Sequence, residues 1–172
     1  MKFTAKQIAF AGILAAAYAA ITIATASFAY GPVQFRIAEA FAVLCCFTPA
    51  AIPGMVVGCM AANLASFVSA WDFVIGSFAT LLACIITWKM SKAVEKKAWV
   101  CALVPLPTIL CNMVIVGAEI AFFFDDRAFL TAWGLNALSV GLGEAVVMYI
   151  LGLPLLLWLR SNRKLSGSLR FL

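Results

Sequence analysis

Six apolar stretches, broken by charges and turn-forming residues, make up nearly the whole chain. They predict helices over about residues 6–27, 36–47, 51–69, 72–90, 99–124 and 128–159. A membrane-crossing helix needs roughly 20 apolar residues. The second stretch is too short to cross alone, so its start is expected below the membrane surface, drawing the first loop into the bundle. Gly31-Pro32 forces the break after the first helix, and the second ends before Pro49. Pro53 falls in the first turn of the third, where a missing N–H is tolerated. Asp72 is a candidate N-cap for the fourth. Pro105 and Pro107 predict a bend in the fifth. A break in the sixth is expected near Gly141, Gly143 or Gly152-Leu153-Pro154.

Composition agrees with this pattern. The chain is 66% hydrophobic and 11% charged, where a soluble domain sits near about one quarter charged. Its 172 residues leave no room for a separate soluble domain beside six spans. The charges are segregated. Of 12 Lys and Arg, ten fall in three clusters, at residues 2–6, 89–97 and 160–170. Six of the seven acids lie elsewhere: Glu39, Asp72, Glu119, Asp125, Asp126 and Glu144. With the N-terminus inside, six spans place all three clusters in the cytoplasm, as the positive-inside tendency requires. The expected fold is an all-α membrane protein. It is a single-domain six-transmembrane-helix bundle over residues 1–172, with cytoplasmic N- and C-termini, in the cell membrane.

The first stretch carries Lys2, Lys6 and an Ala24-Thr25-Ala26 segment, as a secretory signal does, but its apolar run exceeds the usual signal core. A retained first helix is expected. Six cysteines all lie in apolar stretches and read as buried free thiols. The chain has no histidine, so the commonest metal ligand and general base is missing. No phosphate-binding G-x-x-x-x-G-K-[ST] loop occurs. No enzyme activity, cofactor or metal is expected, and a solute-binding membrane protein without a motor needs an ion gradient or a partner.

Polar groups inside hydrocarbon are expensive, so each needs a reason. Thr108, Asn112, Ile115 and Glu119 share one face of the fifth helix. Asn136, Ser139, Gly143 and Glu144 lie along one side of the sixth. Arg36, Glu39, Asn63 and Asp72 add polar groups on the second, third and fourth. These residues suit a cavity that favours a cationic or donor-rich guest. Plainer roles stand beside that one. Asn63, Asn136 and Ser139 also fit hydrogen bonds between helices. Arg36 and Glu39 also fit an ion pair three residues apart, and Asp125 and Asp126 fit solvated loop charges. Glu119 and Glu144 have no basic neighbour in sequence, and an unpaired buried carboxylate is costly.

Tyr30 and Phe35 flank Gly31-Pro32 beside Gln34 and read as a lid able to stack on a flat guest. Trp71 and Phe73 fit an interfacial aromatic belt. On the first helix Ala11, Ala15 and Ala19 run beside Gly12, Ala16 and Ala20. Small residues at this spacing let helices approach closely, either within the bundle or against another membrane protein.

The segment from Gly31 to Ala40, with Gly31-Pro32-Val33-Gln34-Phe35-Arg36, resembles the QueT family signature. So do Ala51-Ile52-Pro53-Gly54 with Gly58 and Asn63, and Asp72 with Gly76-Ser77 and Thr80. Asn136-Ala137-Leu138-Ser139 with Gly143-Glu144, and Leu151-Gly152-Leu153-Pro154, extend the resemblance over about residues 28–159. The resemblance implies a substrate-binding subunit (S-component) of an energy-coupling factor (ECF) transporter. It implies partners: a transmembrane coupling subunit and two cytosolic ATPases. The family's alanine docking motif would fall on Ala11, Ala15, Ala16, Ala19 and Ala20. The implied substrate class is queuosine precursors, 7-deazaguanines such as 7-aminomethyl-7-deazaguanine, held under the first outer loop and released by rotation of the whole subunit. In that reading Glu119 and Glu144 take the ring donors and the aminomethyl cation. Asn112, Asn136 and Gln34 fix the ring, and Arg36 meets the ring carbonyl or holds Glu39. Competing readings are an S-component for riboflavin or thiamine, an ion-coupled carrier with Glu119 and Glu144 as proton sites, and a membrane scaffold.

Overall fold

The computed structural model describes residues 3–29, 33–65 and 70–170, and among them the chain is helical with no strand. Helix α1 (Ala5–Ala24) starts at Thr4. The Thr4 side chain accepts the Gln7 N–H, and the Gln7 side chain accepts the Thr4 N–H at 2.8 Å. This reciprocal cap satisfies two amides that no helical carbonyl reaches. A short turn, α2 (Ala26–Ala29), follows.

The second predicted helix is a 3-10 helix, Ile37–Cys46, and it is the centre of the bundle. It touches α1, the helices that follow it, and the late turn described below. Ten residues of 3-10 helix cover about 20 Å, against about 15 Å for the same residues as α-helix. With three residues per turn, Ala42 and Cys45 share a face and join Leu14, Tyr18, Met55 and Cys59 in one apolar cluster. Val43 and Cys46 share another and join Val104, Met148 and Leu156 in a second. The central rod therefore glues two half-bundles together.

Helix α3 (Ala51–Ala65) packs on α1 through glycines. A Cβ on Gly58 would lie 2.7 Å from the Tyr18 Cβ, and one on Gly54 would lie 2.8 Å from the Ala11 carbonyl. Helix α4 (Ala70–Lys96) runs past the expected end at residue 90, because Ser91 to Lys96 contain no breaker and favour helix. A 3-10 turn (Ala98–Leu103) leads into α5 (Pro105–Phe123), so the expected bend is a change of helix type at Val104. Pro105 occupies the first helical position, where its missing N–H costs nothing.

Helix α6 (Phe129–Val147) passes through a π turn (Met148–Gly152) into α7 (Leu153–Ser161). The break thus falls at Gly152-Leu153-Pro154, the last of the three expected places. Pro154 cannot donate to a carbonyl four residues back, and the ladder widens ahead of it, with the Leu153 N–H bonded to the Met148 carbonyl. Gly141 and Gly143 are contact points instead, against Met113 and the Gln34 backbone. A last helix, α8 (Arg163–Arg170), lays Leu169 against the core.

Among the described residues four stretches are long and apolar enough to cross a membrane: Ala5–Ala24, Trp71–Lys96, Ala98–Phe123 and Phe129–Ser161. Over their described residues the 3-10 helix and α3 are shorter, the 15 described residues of α3 rising about 22 Å against a hydrocarbon core of about 30 Å. Cys46, Glu95 and Arg160 line one pocket, which gathers two of the basic segments at one end of the bundle. Arg36 and Asp72 meet at the other.

Candidate functional site

Arg36 caps the 3-10 helix with its side chain turned inward, 2% exposed. One guanidinium nitrogen donates to Asn63 Oδ1 at 2.8 Å and lies 3.8 Å from Asp72 Oδ2. Asn63 in turn donates to the Asp72 backbone carbonyl at 2.8 Å. These contacts join the 3-10 helix, α3 and the first turn of α4. Gly76 makes them possible: a Cβ there would sit 3.1 Å from Asn63 Nδ2 and 3.5 Å from Arg36 Nη1. Asp72 is therefore an ion-pair partner within the first turn of α4.

One turn along the 3-10 helix, Glu39 is fully buried. Its Oε1 accepts from Tyr18 Oη at 2.6 Å and from Thr80 Oγ1 at 3.1 Å. On α5 and α6, Asn112 donates to Glu144 Oε1 at 3.2 Å, and Glu144 is 1% exposed. Glu119 is also buried, close enough to Asp72 for the two acids to interact electrostatically. Two carboxylates so placed repel, and a cation or paired donors between them relieve the repulsion.

Among the described residues the Ser77 and Thr108 hydroxyls are buried without a hydrogen bond, and so are several acceptors. Glu39 Oε2, Asn112 Oδ1, both Glu119 oxygens and Glu144 Oε2 are buried acceptors without a hydrogen bond. Four acids, Glu39, Asp72, Glu119 and Glu144, share this interior with one guanidinium, that of Arg36. Buried polar groups are normally paired, so these unpaired groups make the cluster the candidate site. Among the described residues no group of three or more His, Cys, Asp or Glu is placed to hold a metal ion.

Glu119 also lines an aromatic groove of about 530 Å³ with Ile75, Phe122, Phe123, Phe129 and Trp133. At its rim Trp71 stacks on Phe123, with centroids 4.8 Å apart and planes 13° from parallel. Gln34 is buried with its backbone pressed on Gly143, so the end of the first loop does sit down inside the bundle. Phe35 is half-buried, its N–H bonded to the Phe28 carbonyl at 2.9 Å. Tyr30, with Gly31 and Pro32, lies outside the described residues.

Not every expected residue joins the cluster. Asn136 donates to Asp125 Oδ2 and to the Ala132 carbonyl, both at 2.9 Å, which ties it to the loop between α5 and α6. Asp125 is no free loop charge: Arg127 forks onto it at 2.6 and 2.8 Å and holds its carboxyl well below the usual range. Ser139 is half-buried on α6. The small-residue strip on α1 splits. The Ala11 and Ala15 backbone carbonyls lie against α3 at Gly54 and Gly58, and Ala15 is buried. Ala16 and Ala20 are exposed with Gly12, and Ala19 is half-buried.

The sequence pattern does not single out Tyr18 or Cys59, and Thr80 enters only with the family resemblance; all three are fully buried around Arg36 and Glu39. A signal for Tyr18 exists: with Thr22 it puts two polar side chains four apart on an otherwise apolar helix, and both are buried.

A family model described as QueT transporter matches residues 8–161. The chain belongs to the QueT transporter family. It is a multi-pass membrane protein of a transporter family, and the matched span holds every residue of the buried polar cluster. Comparison with curated proteins and with solved structures gives no match.

Proposed function

We propose that this QueT-family chain is the substrate-binding subunit of an ECF-type importer and captures a queuosine precursor, a 7-deazaguanine such as 7-aminomethyl-7-deazaguanine. One observation supports the reading: five buried acceptor oxygens, on Glu39, Asn112, Glu119 and Glu144, have no hydrogen bond among the described residues. A deazaguanine brings the reverse, with N–H donors along its pyrimidine edge and a cationic aminomethyl arm. Glu144 with Asn112 suits the ring edge. Glu119 beside Asp72 suits the ammonium, since a cation relieves two facing acids. The flat ring suits the aromatic groove beside Glu119 and the lid residues Phe35 and Tyr30. Gln34, Arg36, Glu39, Asn63 and Ser139 complete the proposed binding set, and Asn136, tied to Asp125, stands outside it.

The chain carries no phosphate-binding loop of its own, so the energy comes from a transmembrane coupling subunit and two cytosolic ATPases. The open small residues Ala16 and Ala20, with Ala19, offer the docking edge for that coupling subunit; Ala11 and Ala15 are taken up by α3. With the basic end inside, both termini are cytoplasmic, and the acid-rich site opens outward.

The deciding experiment is calorimetry of the detergent-purified chain with 7-aminomethyl-7-deazaguanine, guanine, riboflavin and thiamine, together with mass spectrometry of co-purified small molecules. The deazaguanine alone is expected to bind tightly; preference for riboflavin or thiamine overturns the substrate assignment. The proximity of two buried acids, Glu119 and Asp72, also favours a second reading, a proton-coupled carrier. Uptake into liposomes without any ATPase would support that reading against the first.

A further inference from the structure

The basic end of the bundle holds a second cavity that the substrate site does not use. It measures about 760 Å³, and its lining includes Phe47, Ser91, Val94, Glu95, Leu157, Arg160 and Ser166. It lies between the end of the 3-10 helix, the last turns of α4 and α7, and the returning α8. Arg160 is half-buried in its wall. A guanidinium has five N–H donors and no acceptor. Among the described residues the one hydrogen-bond partner of Arg160 is the Cys101 thiol, at 3.7 Å. Sulfur is a weak acceptor, so most of the donor capacity of Arg160 is left for the cavity. Ser91 and Ser166 add hydroxyls, while Phe47, Val94 and Leu157 form an apolar wall on the same cavity.

The surrounding charge is mostly positive. Exposed Lys89, Lys92, Lys96, Lys97 and Lys164 ring this end, against the single acid Glu95. Basic pockets between membrane helices suit anionic lipid head groups, and each nearby cation adds to the attraction. We propose that this cavity binds a phospholipid by its anionic phosphodiester head group. Arg160 pairs with the phosphate, Ser91 and Ser166 donate to its oxygens, and the apolar wall takes the first carbons of the acyl chains. The mixed lining selects for a lipid over free phosphate, which has no use for Phe47, Val94 and Leu157. Bound there, the lipid pins α8 to the bundle through the cavity they share.

Native mass spectrometry of the full chain, released from micelles doped with phosphatidylglycerol or phosphatidylcholine, tests this. Retention of phosphatidylglycerol is expected at least tenfold above phosphatidylcholine. Arg160→Gln should bring the two to the same level, and Lys89→Gln, outside the cavity, should leave the preference intact. Ser91→Leu fills the cavity without altering charge and should cut retention as Arg160→Gln does, which keeps the test decisive if the arginine variant fails to fold. Equal loss with Lys89→Gln and Arg160→Gln would mean general surface attraction and would overturn the site. Displacement of the lipid by millimolar inorganic phosphate would assign the cavity to a soluble phosphate and overturn the lipid. Unchanged retention in both cavity variants would overturn the proposal outright.

Discussion

Tyr18 Oη donates to Glu39 Oε1 at 2.6 Å, joining α1 to the central 3-10 helix in the dry interior. The other oxygen of that carboxylate has no donor, so Tyr18 and Thr80 are its support. A hydrogen bond to a charged group is worth about 1.5–3 kcal/mol. Tyr18→Phe is expected to lower the thermal midpoint of the detergent-purified protein. The loss should largely vanish in a Glu39→Gln background, where the acceptor is no longer a carboxylate. Equal losses in both backgrounds would show that the phenol acts by packing alone.

Removing one member of a buried ion pair costs about 3–5 kcal/mol, because the other charge is stranded. Arg36→Ala strands Asp72 beside Glu119 and should be among the most damaging single changes in the chain. Adding Asp72→Asn should recover part of that stability, read as a rise in the unfolding temperature of the double variant over Arg36→Ala.

The two buried glutamates are expected to fail differently. Glu144→Gln should weaken binding of 7-aminomethyl-7-deazaguanine at least tenfold in calorimetry, about 1.4 kcal/mol. It should weaken the base lacking the aminomethyl arm as much. Glu119→Gln should penalise the aminomethyl base and spare the other. Unchanged affinities would remove these residues from the site.

Gly143 bears the backbone of Gln34, so any side chain there pushes the first loop away. Gly143→Ala is expected to reduce ligand affinity more than it reduces thermal stability. Gly134, on the same helix, is the control, because a Cβ there would meet nothing within 4 Å. Gly134→Ala should be neutral or stabilising by up to about 1 kcal/mol, from helix propensity.

Arg127 holds the Asp125 carboxyl below its usual range. A depressed folded pKa means the contribution of this pair is present above the ordinary value near about 3.9 and is lost as pH falls through the lower folded value. From pH 5 to 8 Asp125 therefore stays ionised, and any pH dependence of ligand binding there arises elsewhere. Asp125→Asn should leave the shape of the binding profile over that range unchanged, as calorimetry at several pH values would show.

Much of the fold can be read from the pattern of apolar residues, and the elements where structure and pattern differ share a cause. The segment after Arg36 reads as a short helix, but its 3-10 form depends on the neighbours that pack around it. The glycines at 141 and 143 look like breakers in sequence, yet in the bundle they are the places where Met113 and Gln34 approach. The polar cluster is legible as a set of acids with no basic neighbour. Asn136 looks like a member by its helix face, but it sits near the start of α6, where Asp125 takes its amide. Tyr18 shows in the sequence only as a polar pair with Thr22, because its partner Glu39 lies 21 positions away.

Helices, their membrane setting and the basic and acidic ends were decided by the sequence alone. Lipid forces each segment to satisfy its backbone internally, and charge can lie only at the ends or in a protected interior. The pairing of Arg36 with Asp72, of Tyr18 with Glu39 and of Asn112 with Glu144 was decided only by the tertiary structure. Each joins residues 21 to 36 positions apart. Which buried acid finds a donor, and which is left for a guest, is a property of how the helices meet rather than of any one of them.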